Sequence, residues 1–281
     1  MSQIESLEVA GVPIVLRFPE QPQKPASLII LWHGFNIPNS EQALAQTIPL
    51  EGVNAWKAYL GLPLFGARMP EGGIDELTRR VREDYLLQLF LPVVQGAVRE
   101  LPNVVEALQS RFDIQSDFGI GLFGFSAGGF AAMLALAQSK IPIKAAVLAG
   151  VSKDISSAVR ATEQFNKSEY QWTEASQAAS RRIDFVWRVE EIVTNAQLPA
   201  MLFLPGGNDE IFAPDEVQQL YAAFRPYYES AGCPDRLSLK IFSHLQHQIE
   251  PPTDEISQAL RADYWALQTA AANWFEEHLC A

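Results

Sequence analysis

The sequence is poor in cysteine, histidine and basic residues. Two cysteines, Cys233 and Cys280, occur in 281 residues, far apart and in no metal-ligand spacing, so neither a disulfide framework nor a zinc site is expected. Free thiols in a reducing compartment are the default for such a chain. Lys and Arg number 21 against 33 Asp and Glu, a net charge of −12. Phosphate-backbone binding needs clustered cations, so a nucleic-acid partner is not expected. The pairs Arg79-Arg80 and Arg181-Arg182 read as solvated helix faces. No apolar run approaches the roughly 18 residues that cross a bilayer, and the stretch from Met1 to Glu8 lacks the basic and apolar regions of a secretion signal. The expectation is a cytoplasmic protein with no membrane or nucleic-acid partner, no cofactor and no metal.

What is present is a globular composition, 48% hydrophobic and 19% charged, arranged as alternating strand and helix patterns. That alternation predicts an α/β fold with a largely parallel sheet covered on both faces. Two short strands joined at Gly11 are expected within Ser6–Phe18, followed by a turn-rich connection from Pro19 to Pro25. Compact apolar runs predict buried strands at Ser27–Trp32, Ala55–Leu62, Phe118–Phe123, Ile143–Leu148, Ala200–Leu204 and Leu237–Phe242. Helices are expected over Ser40–Gln46, Ala127–Ser139 and Asp215–Ser230. A long helical stretch from Ile74 to Phe112 should break near Pro92 and Pro102, and an amphipathic helix from about Asp254 to Leu279 closes the chain. Between Val151 and Gln197 the pattern is helical only, with five large aromatics, and too long for a plain connection. Residues 1–150 and 198–281 therefore read as the core, and residues 151–197 as a helical cap insertion whose aromatics would exclude water from a pocket.

The chemistry is announced by Gly124-Phe125-Ser126-Ala127-Gly128. This is G-x-S-x-G between a buried strand and an Ala-rich helix, the context in which a serine stands exposed on a tight elbow. A serine hydroxyl is a poor nucleophile unless a base lies within hydrogen-bond reach, and histidine titrates near working pH. Of four histidines, His278 reads as surface and His33 as part of the turn after the first buried strand. His244 and His247 both follow the Leu237–Phe242 strand. His247 is far enough along for a loop to swing it over the serine, which favours it and leaves His244 as a structural or pocket residue. The base needs a carboxylate to fix its tautomer. Asp209, beyond the Ala200–Leu204 strand in a glycine-bearing turn, is placed for it, with Glu210 and Asp154 as rivals. Serine, aspartate and histidine then follow one another in the order expected for a strand-to-helix elbow. Oxyanion donors are expected from the backbone N–H of Ala127 and of Phe35, with Gly34 as the runner-up. Phe125, Trp172, Trp187 and His244 are candidate pocket residues.

These motifs resemble those of α/β-hydrolases, within them the serine esterases related to dienelactone hydrolase and prolyl oligopeptidase. The resemblance rests on Gly124-Phe-Ser126-Ala-Gly128, on Gly206-Gly-Asn-Asp209-Glu-Ile-Phe-Ala-Pro214 and on Leu245-Gln-His247. It implies an eight-stranded sheet with its second strand antiparallel, a Ser126–His247–Asp209 triad, and oxyanion donors at Phe35 and Ala127. Dienelactone hydrolases proper carry a cysteine nucleophile where this chain has Ser126. The oligopeptidases carry a propeller or other large domain; with only about 30 residues ahead of the first core strand, none is expected here. The expected function is a free-standing hydrolase of small carboxylic esters acting through an acyl-enzyme. Thioesterase, amidase, small-peptide peptidase and carbon–carbon bond hydrolase are alternatives on the same triad, and a non-catalytic binding protein is a further one.

Overall fold

A computed structural model describes residues 3–280 except 22, 25, 113, 115–118, 196 and 254. Eight strands form one sheet: β1 (Ile4–Val9), β2 (Val12–Arg17), β3 (Ser27–Trp32), β4 (Ala55–Leu60), β5 (Ile120–Phe125), β6 (Ile143–Ala149), β7 (Ala200–Leu204) and β8 (Leu237–Leu239). Their order is β1-β2-β4-β3-β5-β6-β7-β8. β2 runs antiparallel to both its neighbours, and the pairs from β4 through β8 are parallel. This is the α/β-hydrolase architecture.

The helices are α1 (Glu41–Thr47), α2 (Gly73–Asp84), α3 (Leu91–Phe112), α4 (Ala127–Gln138), α5 (Ser156–Asn166), α6 (Glu174–Arg181), α7 (Val189–Asn195), α8 (Pro214–Ser230) and α9 (Gln258–His278). Every residue of β3, β5 and β7 is buried, as expected for central strands covered on both faces. Along β3, Leu28, Ile30 and Trp32 join one core beneath the α2–α4 and α7–α8 layer. Ile29 and Leu31 join the other, beneath α1 and α9. The chain leaves β3 toward β4 on one face and leaves β5 toward β6 on the other. The carboxyl ends of β3 and β5 therefore flank the topological switch point where α/β sheets place their sites.

Several expectations shift in detail. The expected strand start at Phe118, helix start at Asp254 and turn end at Pro25 lie outside the described residues; the strand is seen from Ile120 and the helix from Gln258. The helical stretch after Gly73 does not break at Pro92 or Pro102. Asp84 breaks it with an extended backbone, its carboxylate accepts the Leu87 N–H, and a π-helical turn from Tyr85 to Phe90 follows. Pro102 is carried inside α3. The strand expected to reach Phe242 ends at Leu239, with a single further bridge from Gly206 to Phe242.

Residues 151–197 hold α5, α6 and α7. α7 packs on α4 and α8 as a crossover helix does, whereas α5 and α6 touch the π-helical turn. Among the described residues no helix is long and apolar enough to cross a membrane.

Candidate active site

β5 delivers Ser126 to the rim formed by the carboxyl ends of the parallel strands. The serine backbone adopts φ 53° and ψ −120°, a conformation rare for a residue with a Cβ and characteristic of a strained turn. Three hydrogen bonds impose it: Ser126 N–H donates to Ala149 O at 3.0 Å, and Ser126 O accepts from Gly129 and Phe130 at 2.9 and 3.1 Å. The turn closes only because the start of α4 presses on the end of β3. A Cβ on Gly128 would lie 2.4 Å from Trp32 O, whereas the actual Gly128 N–H donates to His33 O at 3.1 Å. Ser126 thereby sits at the N-terminus of a 12-residue helix, whose unpaired N–H groups favour negative charge.

The histidine and the carboxylate arrive on two loops that are laced together. Gly207 N–H donates to Phe242 O at 2.7 Å, Phe242 N–H to Pro205 O at 3.1 Å and Asn208 N–H to Leu245 O at 2.9 Å. Gly206 permits this approach, since a Cβ there would stand 2.5 Å from Leu245 O. Asp209 Oδ1 accepts the N–H groups of Ile211 and Phe212 at 2.9 and 2.8 Å. That leaves Oδ2 for His247 Nδ1 at 2.9 Å. His247 Nε2 lies 2.9 Å from Ser126 Oγ. All three residues are buried, and the imidazole is held between the Phe125 and Phe212 rings, at 5.5 and 5.2 Å.

The turn after β3 faces the serine from the other side. Gly34 N–H is engaged, donating to Pro38 O at 3.0 Å, which removes it from the choice of oxyanion donor. The N–H groups of Phe35 and Ala127 have no acceptor among the described residues. Beneath them His33 is wholly buried. Its Nδ1 bonds Gly34 O at 2.7 Å and its Nε2 accepts the Leu62 N–H at 3.1 Å, so it braces two loops as a neutral ring. Burial pushes its pKa down to about 4, outweighing the opposing hydrogen bond to Gly34.

A cavity of about 410 Å³ opens over Ser126. Two helical stripes wall it: Ile74, Leu77, Thr78 and Val81 from α2, and Ala158, Ala161, Thr162 and Phe165 from α5. Phe35, stacked on Phe65 at 4.5 Å, and Phe90 complete the floor. Among the described residues no Asp, Glu, Lys or Arg lines it. At the mouth Ile74 and Phe165 are 66% and 67% exposed.

The expected pocket residues need correction. Trp187 is 86% exposed on a turn and Trp172 is 41% exposed, its ring set edge-on against Tyr170; neither lines the cavity. His244 points to solvent and pairs with Asp263 at 3.1 Å. Phe125 is buried on the opposite face of the sheet, in the core beneath α9, and supports the imidazole rather than the cavity. The residues that do line the cavity occur at i, i+3, i+4 and i+7 spacing, a signal the sequence holds but which any core-facing helix also gives. Among the described residues no three His, Cys, Asp or Glu side chains cluster as metal ligands would.

No curated protein sequence matches this chain. Among solved structures it is similar to TT1662 from Thermus thermophilus, with 18% identity, 99% of this chain and 98% of that one covered, and a TM-score of 0.69. It is also similar to the acylaminoacyl peptidase of Pyrococcus horikoshii (16%, 99% of this chain but 42% of that one, TM-score 0.63) and to the esterase Pf2001 of Pyrococcus furiosus (12%, 99% and 94%, TM-score 0.59). At such identities the likeness is one of fold. Residues 93–273, well over half the chain, match the sequence pattern of the prolyl oligopeptidase family; the chain belongs to that family and is a serine hydrolase.

Proposed function

We propose that the protein hydrolyses carboxylic esters of apolar acids through a Ser126–His247–Asp209 triad. Ser126 Oγ attacks the ester carbonyl as His247 Nε2 takes its proton. The Phe35 and Ala127 N–H groups receive the oxyanion, a contribution worth about 10²–10³ in rate per donor. Collapse expels the alcohol, which leaves with the proton from His247. Water, deprotonated by the same nitrogen, then attacks the acyl-enzyme and releases the acid. Asp209 holds Nδ1–H and stabilises the imidazolium formed at each half-reaction. The 151–197 segment acts as a cap, with α5 as its working wall and α7 as the ordinary crossover.

The observation that carries the ester reading is the lining of the cavity. Among the described residues no Asp, Glu, Lys or Arg lines the cavity itself, so a peptide terminus held within it would be buried unpaired at a cost of several kcal/mol. An uncharged apolar acyl group meets only matching surface there. The test is a panel of nitrophenyl esters of rising acyl length beside anilides and short peptides of equal length. Esters are expected to be turned over faster, and Ser126→Ala to lower kcat by about 10⁴–10⁶. A Ser126→Ala variant with near wild-type turnover, or a preference for peptides, would refute it.

A further inference from the structure

A second hollow of about 160 Å³ adjoins the apolar cavity and differs from it in character. The two share Ala161 and Ile211 as a common wall, and the smaller one is lined by Ser157, Arg160, Gln164 and Glu210. Part of that polar set is committed. Ser157 Oγ donates to Glu216 Oε1 at 2.6 Å and Arg160 Nη2 reaches the same oxygen at 2.9 Å. Gln164 and Glu210 complete the polar lining; Glu210 Oε2 is engaged by the His247 backbone N–H, while Glu210 Oε1 and the Gln164 amide have no hydrogen-bond partner among the described residues.

Its position relative to the reacting atoms is informative. A leaving oxygen must end beside His247 Nε2 to collect its proton. The small hollow connects to that region through Ile211, which lines the large cavity together with Ser126 and His247, and through Glu210, directly after Asp209, whose Oε2 accepts the His247 backbone N–H at 3.4 Å. The apolar walls from α2, with Phe35 and Phe65, belong to the large cavity alone.

We propose that the small hollow is a leaving-group subsite for a short polyhydroxylated alcohol, so that the substrate is an amphiphilic ester: an apolar acid joined to a glycerol-like head. The proposal rests on the ester reading above. Both signs of charge line the hollow, which sets an ammonium against Arg160 and an anion against Glu210. A hydroxyl both donates and accepts and is matched by the amide, the carboxylate and the guanidinium together. On the same measure one water needs roughly 10–15 Å³, so about 160 Å³ leaves room for a small triol.

The experiment compares kcat/KM for monooctanoylglycerol, ethyl octanoate and 2-aminoethyl octanoate, with active sites titrated by a fluorophosphonate. The same ratios are measured in Gln164→Ala and Glu210→Gln. The wild type is expected to favour the glycerol ester over the ethyl ester about tenfold, the worth of one hydrogen bond to a charged group. Each substitution should bring that ratio down severalfold. Ratios cancel any general loss from disturbing the His247 loop. Equal turnover of glycerol and ethyl esters in the wild type, ratios unmoved by both substitutions, or preference for the aminoethyl ester would overturn the subsite. Turnover of none of the three would overturn the ester reading and the subsite with it.

Discussion

Asp209→Asn is the most discriminating perturbation of the proposed chemistry, because the surrounding backbone dictates how an amide must sit. Oδ1 accepts two N–H groups, from Ile211 and Phe212. An asparagine can keep those bonds only by placing its carbonyl there, which aims its NH₂ at His247 Nδ1, the partner of Oδ2 at 2.9 Å. Flipping the amide would instead set its donor against two others. The imidazole must then present a lone pair at Nδ1 and carry its proton on Nε2, toward Ser126. A protonated Nε2 cannot accept the serine proton. The expected loss is about 10⁴ in kcat, near 5 kcal/mol of transition-state stabilisation, while KM and the unfolding midpoint change little because size and hydrogen-bond count are kept. Pre-steady-state kinetics on a nitrophenyl ester should show the acylation burst slowed by the same factor. An Asp209→Asn enzyme within tenfold of wild type would refute the assigned role of the Asp209–His247 pair.

Two further outcomes follow from the scaffold. In Gly206→Ala, backbone atoms meet the new Cβ at 2.5 Å and the two laced loops must part; kcat should fall at least 100-fold, with a modest loss in thermal stability measured by calorimetry, and an unaltered kcat would contradict the lacing. His33 ties stability to pH. Its pKa is about 4 when folded against 6.5 when free, so below pH 6.5 the unfolded chain binds a proton that the folded one refuses. Acidification therefore favours unfolding, and the penalty grows to about 3 kcal/mol by pH 4. Urea titrations from pH 7 to 4 should show this extra slope in the wild type and not in His33→Gln; identical slopes in both would refute it.

The central strands are legible in sequence because a strand buried on both faces is a short apolar run bounded by turn residues. Ser27–Trp32 and Ala200–Leu204 are read at their observed ends for that reason. The edge was less so. Lys240 and Phe242 still bond the neighbouring chain, Lys240 N–H to Phe203 O at 2.9 Å and Phe242 N–H to Pro205 O at 3.1 Å, but the regular strand stops at Leu239 as β7 ends and its chain turns toward Asp209. The break in the long helical stretch was misplaced because proline is the loudest local signal, while the actual break is made by an aspartate capping a π-helical turn. Ser126, His247 and Asp209 could each be named because each follows its own strand in a set order, and the structure brings them into one hydrogen-bonded row. The cavity walls could not. Tryptophans at Trp172 and Trp187 look like lining by size alone, yet it is the spacing on α2 and α5, together with the direction in which those helices face, that makes a wall.

The lacing of the 205–208 and 242–245 backbones divides the reactive row unequally. Imidazole and carboxylate ride on one slab of chain, whereas the Ser126 hydroxyl and the Phe35 and Ala127 N–H groups ride on the turns that close β3 and β5. In the proposed mechanism the His247–Asp209 pair would therefore travel together, and a shift of that slab against the turns would be felt in the Nε2–Oγ separation.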